Sequence, residues 1–347
     1  KLGGLLTASK FVQIKGLPGS GKSVVLRQQL ESELKRGPVL FLKSDRLDGK
    51  GWSGFAVSNG LSATALADLL VEIGATGSST LFIDGIDRVE KEHQLIVVDV
   101  LRTILQSPHF DNWKIVASLR DTGIEPLRNW LGEVLGATSV VTLDVDALDD
   151  DEAEELAKVK PHLRGLLFGA PSMREIVRRP FFAKILDQTG SGDFRPQSEV
   201  DLLENWWLRG VYNADGQQAL ERQRALIEIG AAQARHLSQA VPFRELSPSA
   251  IALIENLAAD GLVRHVRRGH SIRFAHDILF EWSLFHVLAD KGEKWLEEIR
   301  DCGEPPAVAR VVELLAQYEY RDGESWSKTL PVIAASRMRS QWTRAWL

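Results

Sequence analysis

Eight residues near the start of the chain, Gly16-Leu17-Pro18-Gly19-Ser20-Gly21-Lys22-Ser23, have the types and spacing that grip a polyphosphate. Glycines let successive backbone N–H groups turn inward around an anion. A lysine followed by a hydroxyl residue at the mouth of a helix adds an ammonium for the β- and γ-phosphates and an oxygen for a magnesium ion. The cradle read this way comprises Gly16, Pro18, Gly19, Ser20, Gly21, Lys22, Ser23 and Val24, with Ser23 also a metal ligand. Further on, Thr80-Leu81-Phe82-Ile83-Asp84 is an apolar run ending in a carboxylate. Such a strand places Asp84 beside the loop, where it holds magnesium through water. The next position is Gly85, so Asp87 is the following carboxylate. It suits a group that orients water on the γ-phosphate, and equally a helix cap or ion-pair partner.

These groups need elements to hold them, and the surrounding pattern supplies them. Phe11 to Ile14 reads as a strand entering the loop, and Ser23 to Lys35 has helical spacing that stops at Gly37-Pro38. Strands are expected at Val39–Leu42, Thr80–Ile83, Lys114–Leu119 and Ser139–Leu143. Helices are expected at Leu61–Ile73, His93–Leu105 and Ile124–Leu135. Alternation of this kind is how a parallel α/β sheet reads. After Leu148 the pattern becomes helical. Asp149-Asp150-Asp151-Glu152 suits a helix start, and breaks fall at Pro161, Gly169-Ala170-Pro171 and the Gly190-Ser191-Gly192 linker. Ala219–Leu237 and Ser247–Ala259 read as helices, followed by a hairpin of residues 261–263 and 272–274 around Arg267-Arg268-Gly269. Two helices and a hairpin outline a winged helix. Trp206, Trp207 and Trp282 have apolar neighbours at helical spacing and read as core.

Length and composition bound the rest. The chain has 347 residues, enough for two or three domains. Hydrophobic residues make up 44%, charged residues 26%, and the net charge is −5, which argues for no polyanionic partner at the global level. Cys302 is the single cysteine, so an internal disulfide is excluded and a reducing, cytoplasmic setting is expected. Apolar runs are strand-length and broken by charges, so no membrane partner is expected. The chain opens on Lys1 and ends at Trp346-Leu347 within helical sequence, which reads as a module of a longer protein.

Asp84-Gly85-Ile86-Asp87 resembles the acidic motif of the STAND class of P-loop NTPases, which includes NACHT and AP-ATPase proteins. Three further stretches match in order. Residues 114–120, ending in Ser118-Leu119-Arg120, look like the class's sensor strand, whose arginine faces the γ-phosphate. Arg178-Arg179-Pro180-Phe181-Phe182 is similar to its proline motif, which packs near adenine and ribose. Ile272-Arg273-Phe274-Ala275-His276-Asp277 looks like the winged-helix element whose histidine contacts the β-phosphate of bound ADP. The sequence departs from the pattern at Arg88, where NACHT proteins commonly carry Glu, and at Gly85, where many P-loop ATPases carry Glu.

The resemblance implies an α/β fold class, a parallel-sheet P-loop NTPase domain (1–148) followed by a helical domain (149–212) and a winged-helix domain (213–290), with a helical region beginning at 291–347. It implies ATP/ADP and Mg2+ as cofactors, with Lys22, Asp87 and Arg120 as catalytic residues. Pro180 and His276 join the nucleotide site, and Ser23 and Asp84 hold the metal. Pro180 equally suits a first helical turn, while the neighbours of His276 favour the sensor role over a structural one. The function implied is a bacterial signalling or antiviral (anti-phage) defence switch, slow in ATP hydrolysis, that forms a homo-oligomer on activation by a protein or ligand sensed through other domains. The competing expectation is an AAA+-type DNA-binding ATPase, in which Arg264, Arg267, Arg268 and Arg273 of the wing, with His265 and His270, meet phosphates. On the sequence alone nucleic acid is possible but not favoured, and a scaffold that holds ADP permanently is a third expectation.

Overall fold

A computed structural model of the chain describes residues 2–61, 65–120, 124–136, 138–189, 194, 196–209, 211, 216–235, 240–305, 308–321 and 323–347. It divides into two compact units, Lys1–Ala147 and Leu148–Leu347.

The first unit runs α1 (Leu2–Ala8), β1 (Phe11–Lys15), α2 (Lys22–Glu33), β2 (Val39–Lys43), α3 (Gly51–Ser58), α4 (Leu66–Gly74), β3 (Ser79–Asp84), α5 (Gln94–Gln106), β4 (Trp113–Leu119), α6 (Ile124–Leu135) and β5 (Val140–Asp144). The five strands are all parallel in the order β2-β3-β4-β1-β5. Alternate residues of each strand feed opposite faces, as pleating requires. Leu81, Ile83, Ile115 and Ala117 meet Ile96, Val97, Val100 and Leu101 of α5, whereas Phe82, Val116, Val12 and Ile14 meet Leu2 and Leu6 of α1 and Leu26 of α2. Helices on both faces explain why β3 is buried along its whole length.

Three elements differ from the sequence reading. Helices α1 and α3, LGGLLTA and GWSGFAVS, are rich in poor helix formers and carry no strong periodic signal. Each is held by burial: Leu2 and Leu6 pack under the sheet, and Trp52 and Ala56 anchor α3, whose Trp52 N–H donates to Asp99 Oδ2 at 3.0 Å. Helix α4 starts at Leu66 rather than Leu61, with Leu61 outside it; residues 62–64 of the expected span lie outside the described residues.

The second unit begins with α7 (Asp150–Val159). The expected acidic start is a full capping box: Asp149 Oδ1 accepts Glu152 N–H at 2.8 Å, and Glu152 Oε2 accepts Asp149 N–H at 3.1 Å. Then follow α8 (Arg164–Leu167), α9 (Pro171–Val177), α10 (Pro180–Thr189) and α11 (Glu199–Leu208). The expected linker at 190–192 lies outside the described residues. Next come α12 (Gly216–Arg235), β6 (Val241–Pro242), α13 (Pro248–Ala259), β7 (Val263–Arg267), β8 (Ser271–Phe274) and α14 (Asp277–Ala289). The end of the expected helix at 236–237 also lies outside the described residues. The three short strands form an antiparallel sheet, β6-β8-β7, beside α12 and α13, which is the winged-helix arrangement. Finally α15 (Trp295–Asp301), α16 (Ala309–Glu319), α17 (Gly323–Ala335) and α18 (Ser340–Trp346) complete the unit. One core runs through it from Ala153 of α7 to Trp346 of α18, and Trp206, Trp207 and Trp282 are buried there.

Candidate nucleotide site

The phosphate loop leaves the carboxyl end of β1 and closes into the first turn of α2. Gly19 and Gly21 have φ of 79° and 101°, a left-handed backbone that glycine adopts without strain. Gly16 is a glycine for a different reason, since a Cβ there would stand 2.3 Å from the Val145 carbonyl oxygen. The chain just beyond β5 is drawn in by the bond from Val145 N–H to the Lys15 carbonyl at 2.7 Å. Lys22 Nζ donates to the Gly16 and Leu17 carbonyls at 2.7 and 2.8 Å, so the ammonium closes over the loop. Ser20 Oγ is buried there without a hydrogen-bond partner among the described residues. Ser23 and Val24 lie exposed in the first turn of α2, while Pro18 is half-buried.

Asp84 ends β3, and the order β3-β4-β1 with parallel register sets its carboxylate two strand spacings, about 10 Å, from the end of β1. The side chain is buried, and its Oδ1 accepts the Ser118 hydroxyl of β4 at 2.7 Å. Ser118 Oγ in turn accepts Gly85 N–H at 2.8 Å. Gly85 has φ of 70°, and a Cβ on it would fall 2.4 Å from Arg88 Nη2. Asp87 lies in the single turn Ile86–Arg88, where its Oδ1 is buried with no hydrogen-bond partner among the described residues. Arg120 follows β4 directly and is half-buried at the same edge of the sheet.

The donor set fits a magnesium nucleotide. A buried carboxylate with one oxygen committed to Ser118 and an exposed hydroxyl at the helix mouth are hard oxygen donors of the kind Mg2+ takes. Ser23 and Asp84 would hold the ion, and the loop amides and Lys22 the phosphates.

Pro180 and His276 are in the second unit, and the structure brings their motifs together. Pro180 is the first residue of α10, exposed. The Phe181 ring stacks on that of His276, with centroids 4.3 Å apart and planes at 26°. His276 caps α14, its Nδ1 accepting Ile278 N–H at 3.2 Å. An accepting Nδ1 carries no proton, so the neutral ring bears its N–H at Nε2.

Around the proline motif lies a charge network that the sequence reading missed. Arg178 donates to the Leu167 carbonyl and pairs with Asp150 at 2.7 Å. Arg179 pairs with Glu199 at 2.7 Å beneath its stack on Phe182, and Arg310 of α16 reaches the same Glu199 oxygen at 2.6 Å. Burial pushes the Glu199 carboxyl up, but the Arg310 and Arg179 guanidiniums outweigh it and hold it below its ordinary value. No sequence signal pairs residues 111 apart. For Ser118 a signal was present, a hydroxyl one step inside the carboxyl end of a buried strand.

Sheet order, loop and buried strand-end carboxylate are those of the P-loop NTPase fold. No protein-family model and no curated protein sequence matches the chain. Among solved structures it is similar to the Walker-type ATPase PABY2304 of Pyrococcus abyssi, at 15% identity and TM-score 0.39 over 82% of this chain and 93% of that one. It is also similar to the Aeropyrum pernix ORC2 protein in its ADPNP-ADP complexes, at 14% identity and TM-score 0.41 over 81% and 89%. The Aeropyrum pernix ORC1 protein in complex with DNA gives 15% identity and TM-score 0.36 over 80% and 86%.

Among the described residues no helix is long and apolar enough to cross a membrane.

Proposed function

We propose that this chain is an ATP/ADP-binding switch of the STAND kind. The observation that carries the proposal is the loop geometry: two left-handed glycines, a lysine closing over the loop and, two strands away, the buried Asp84. Mg2+, when bound, neutralises charge between the β- and γ-phosphates. The chain's own groups do the rest. Loop amides and Lys22 bind phosphate, Asp84 and Ser23 hold the ion, Asp87 orients water, and Arg120 answers to the γ-phosphate. Pro180 and His276 join the nucleotide site as the family resemblance implies. Exchange of ADP for ATP then shifts a conformational population by the difference in binding free energy between the two states. A near-complete switch needs about 5.5 kcal/mol, which two to four charge-assisted hydrogen bonds supply. Hydrolysis is slow and resets the device. Self-association on activation, a trigger sensed outside this chain, and a role in bacterial signalling or anti-phage defence follow the family resemblance.

Calorimetry with Mg-ATP and ADP tests the reading. Lys22→Ala is expected to weaken binding about 10- to 100-fold with an unchanged melting profile, the loss of a charged hydrogen bond. Retained affinity would remove the basis of the proposal. His276→Ala is expected to speed nucleotide exchange and favour assembly; exchange at the parent rate would leave His276 a helix cap only.

A second reading, a DNA-binding ATPase of the AAA+ type, is favoured by one feature of the wing. Arg267 and Arg268 at its tip are exposed, with exposed His270 and Arg244 nearby, and these arginines make no ion pair among the described residues. A cationic tip of this kind fits a phosphate backbone, so duplex DNA stands as a candidate partner on firmer ground than net charge allows.

A further inference from the structure

Ser118 ties together the two residues that end β3. Its hydroxyl donates to Asp84 Oδ1 at 2.7 Å and accepts Gly85 N–H at 2.8 Å. The side chain is 2% exposed, and its strand β4 lies between β3 and β1. A hydroxyl has a single proton, so its direction is set once Gly85 N–H occupies a lone pair and the proton goes to the carboxylate. The tie therefore fixes the rotation of the Asp84 carboxylate and distinguishes its two oxygens: Oδ1 is committed to Ser118, and Oδ2 is not. On Gly85 itself the Arg88 guanidinium fills the place of a side chain, with Nη2, Nε and Cζ at 2.4, 2.7 and 2.9 Å from where a Cβ would stand. The Asp84-Gly85 peptide is thus fastened at its amide and packed at its Cα.

We propose that Ser118 is the positioning residue of the magnesium site. It aims the Asp84 carboxylate, and through it sets how strongly the metal tightens nucleotide binding. The inference rests on the P-loop reading above and deepens it. Groups that orient a metal-holding carboxylate characteristically govern metal affinity by about 10- to 100-fold without touching the metal. A purely structural Ser118, present only to satisfy Gly85 N–H, would act on folding and on metal-free nucleotide binding alike.

The two roles separate in calorimetry of ATP binding, run in EDTA and across a Mg2+ titration, beside thermal melts of each variant. For Ser118→Ala, affinity in EDTA is expected within about twofold of the parent, while half-maximal tightening requires about tenfold more Mg2+. Ser118→Thr, which keeps the hydroxyl, is expected to restore the parent response. If the alanine variant does not fold, Ser118→Cys takes its place, a weak donor expected to give a smaller shift in the same direction. An unchanged Mg2+ response in Ser118→Ala or its Cys substitute overturns the assignment. So does equal loss with and without Mg2+, or a threonine variant that behaves like the alanine one. A parent chain that binds no nucleotide overturns the P-loop reading and this inference together. A parent that responds to Mg2+ beside a variant that responds identically overturns the role of Ser118 alone.

Discussion

Two carboxylates, Asp84 at the end of β3 and Asp87 three positions on, differ in their surroundings. Asp84 has one oxygen bound to Ser118, whereas Asp87 Oδ1 is buried with no partner among the described residues. An unsatisfied buried acceptor costs about 1–3 kcal/mol, which a water or ligand donor recovers. The oxygen left open therefore suits orientation of the attacking water. Between them, Gly85 has φ of 70°, in the left-handed region that a side chain such as the usual glutamate enters only with strain. Asp87→Asn is expected to lower ATP turnover by about 100-fold or more while changing ATP affinity by less than about threefold, measured by phosphate release and calorimetry. Loss of both in equal measure would assign Asp87 to the metal or to folding.

At the scale of elements, the β7–β8 hairpin separates the two readings of the molecule. Its core side is fastened: Phe274 N–H donates to Gln233 Oε1 at 3.1 Å, joining β8 to α12. Its tip is exposed and cationic. If the wing meets a phosphate backbone, the chain binds duplex DNA with an affinity that falls steeply with salt. Removing Arg267 and Arg268 together is then expected to flatten the slope of log affinity against log salt by about 2. A parent with no salt-dependent DNA binding retires that reading and leaves the switch. Legibility also differed by element. Strands β1 to β5 and the wing were readable because apolar alternation and glycine punctuation are local. Helices α1 and α3 were not, because their helicity comes from Leu2, Leu6, Trp52 and Ala56 finding a surface to cover.

For the second unit as a whole, one buried histidine couples stability to acidity. His286 stacks on Trp207 at 4.4 Å, stands edge-on to Trp282 and Phe285, and has a buried Nε2 without a hydrogen-bond partner among the described residues. Burial pushes its pKa down to about 4 from the ordinary 6.5. Between those values the unfolded chain binds the proton that the folded chain refuses, so unfolding becomes easier as pH falls. Stability from this group is complete above about pH 6.5 and declines through the window down to about 4, by about 2 kcal/mol at pH 5. Chemical melts at pH 7.5 and 5 should show that decline in the parent and a smaller one in His286→Phe, which keeps the ring stack without the titrating nitrogen. Equal declines would place the pH dependence elsewhere.

The sequence by itself determined the parts that obey short-range rules. These are the glycine turn and its lysine, the buried strand ending in Asp84, the alternation of a parallel sheet, the capped start of α7 and the hairpin of the wing. Each depends on residues within a turn or a strand of one another. Tertiary structure alone decided the partnerships. Ser118 meets Asp84 from 34 positions away, Arg310 meets Glu199 from 111, and Phe181 of α10 meets His276 at the start of α14. Any of many hydroxyls or guanidiniums has the chemistry for such bonds. Which one makes them depends on strand order and helix packing, which only the folded chain fixes.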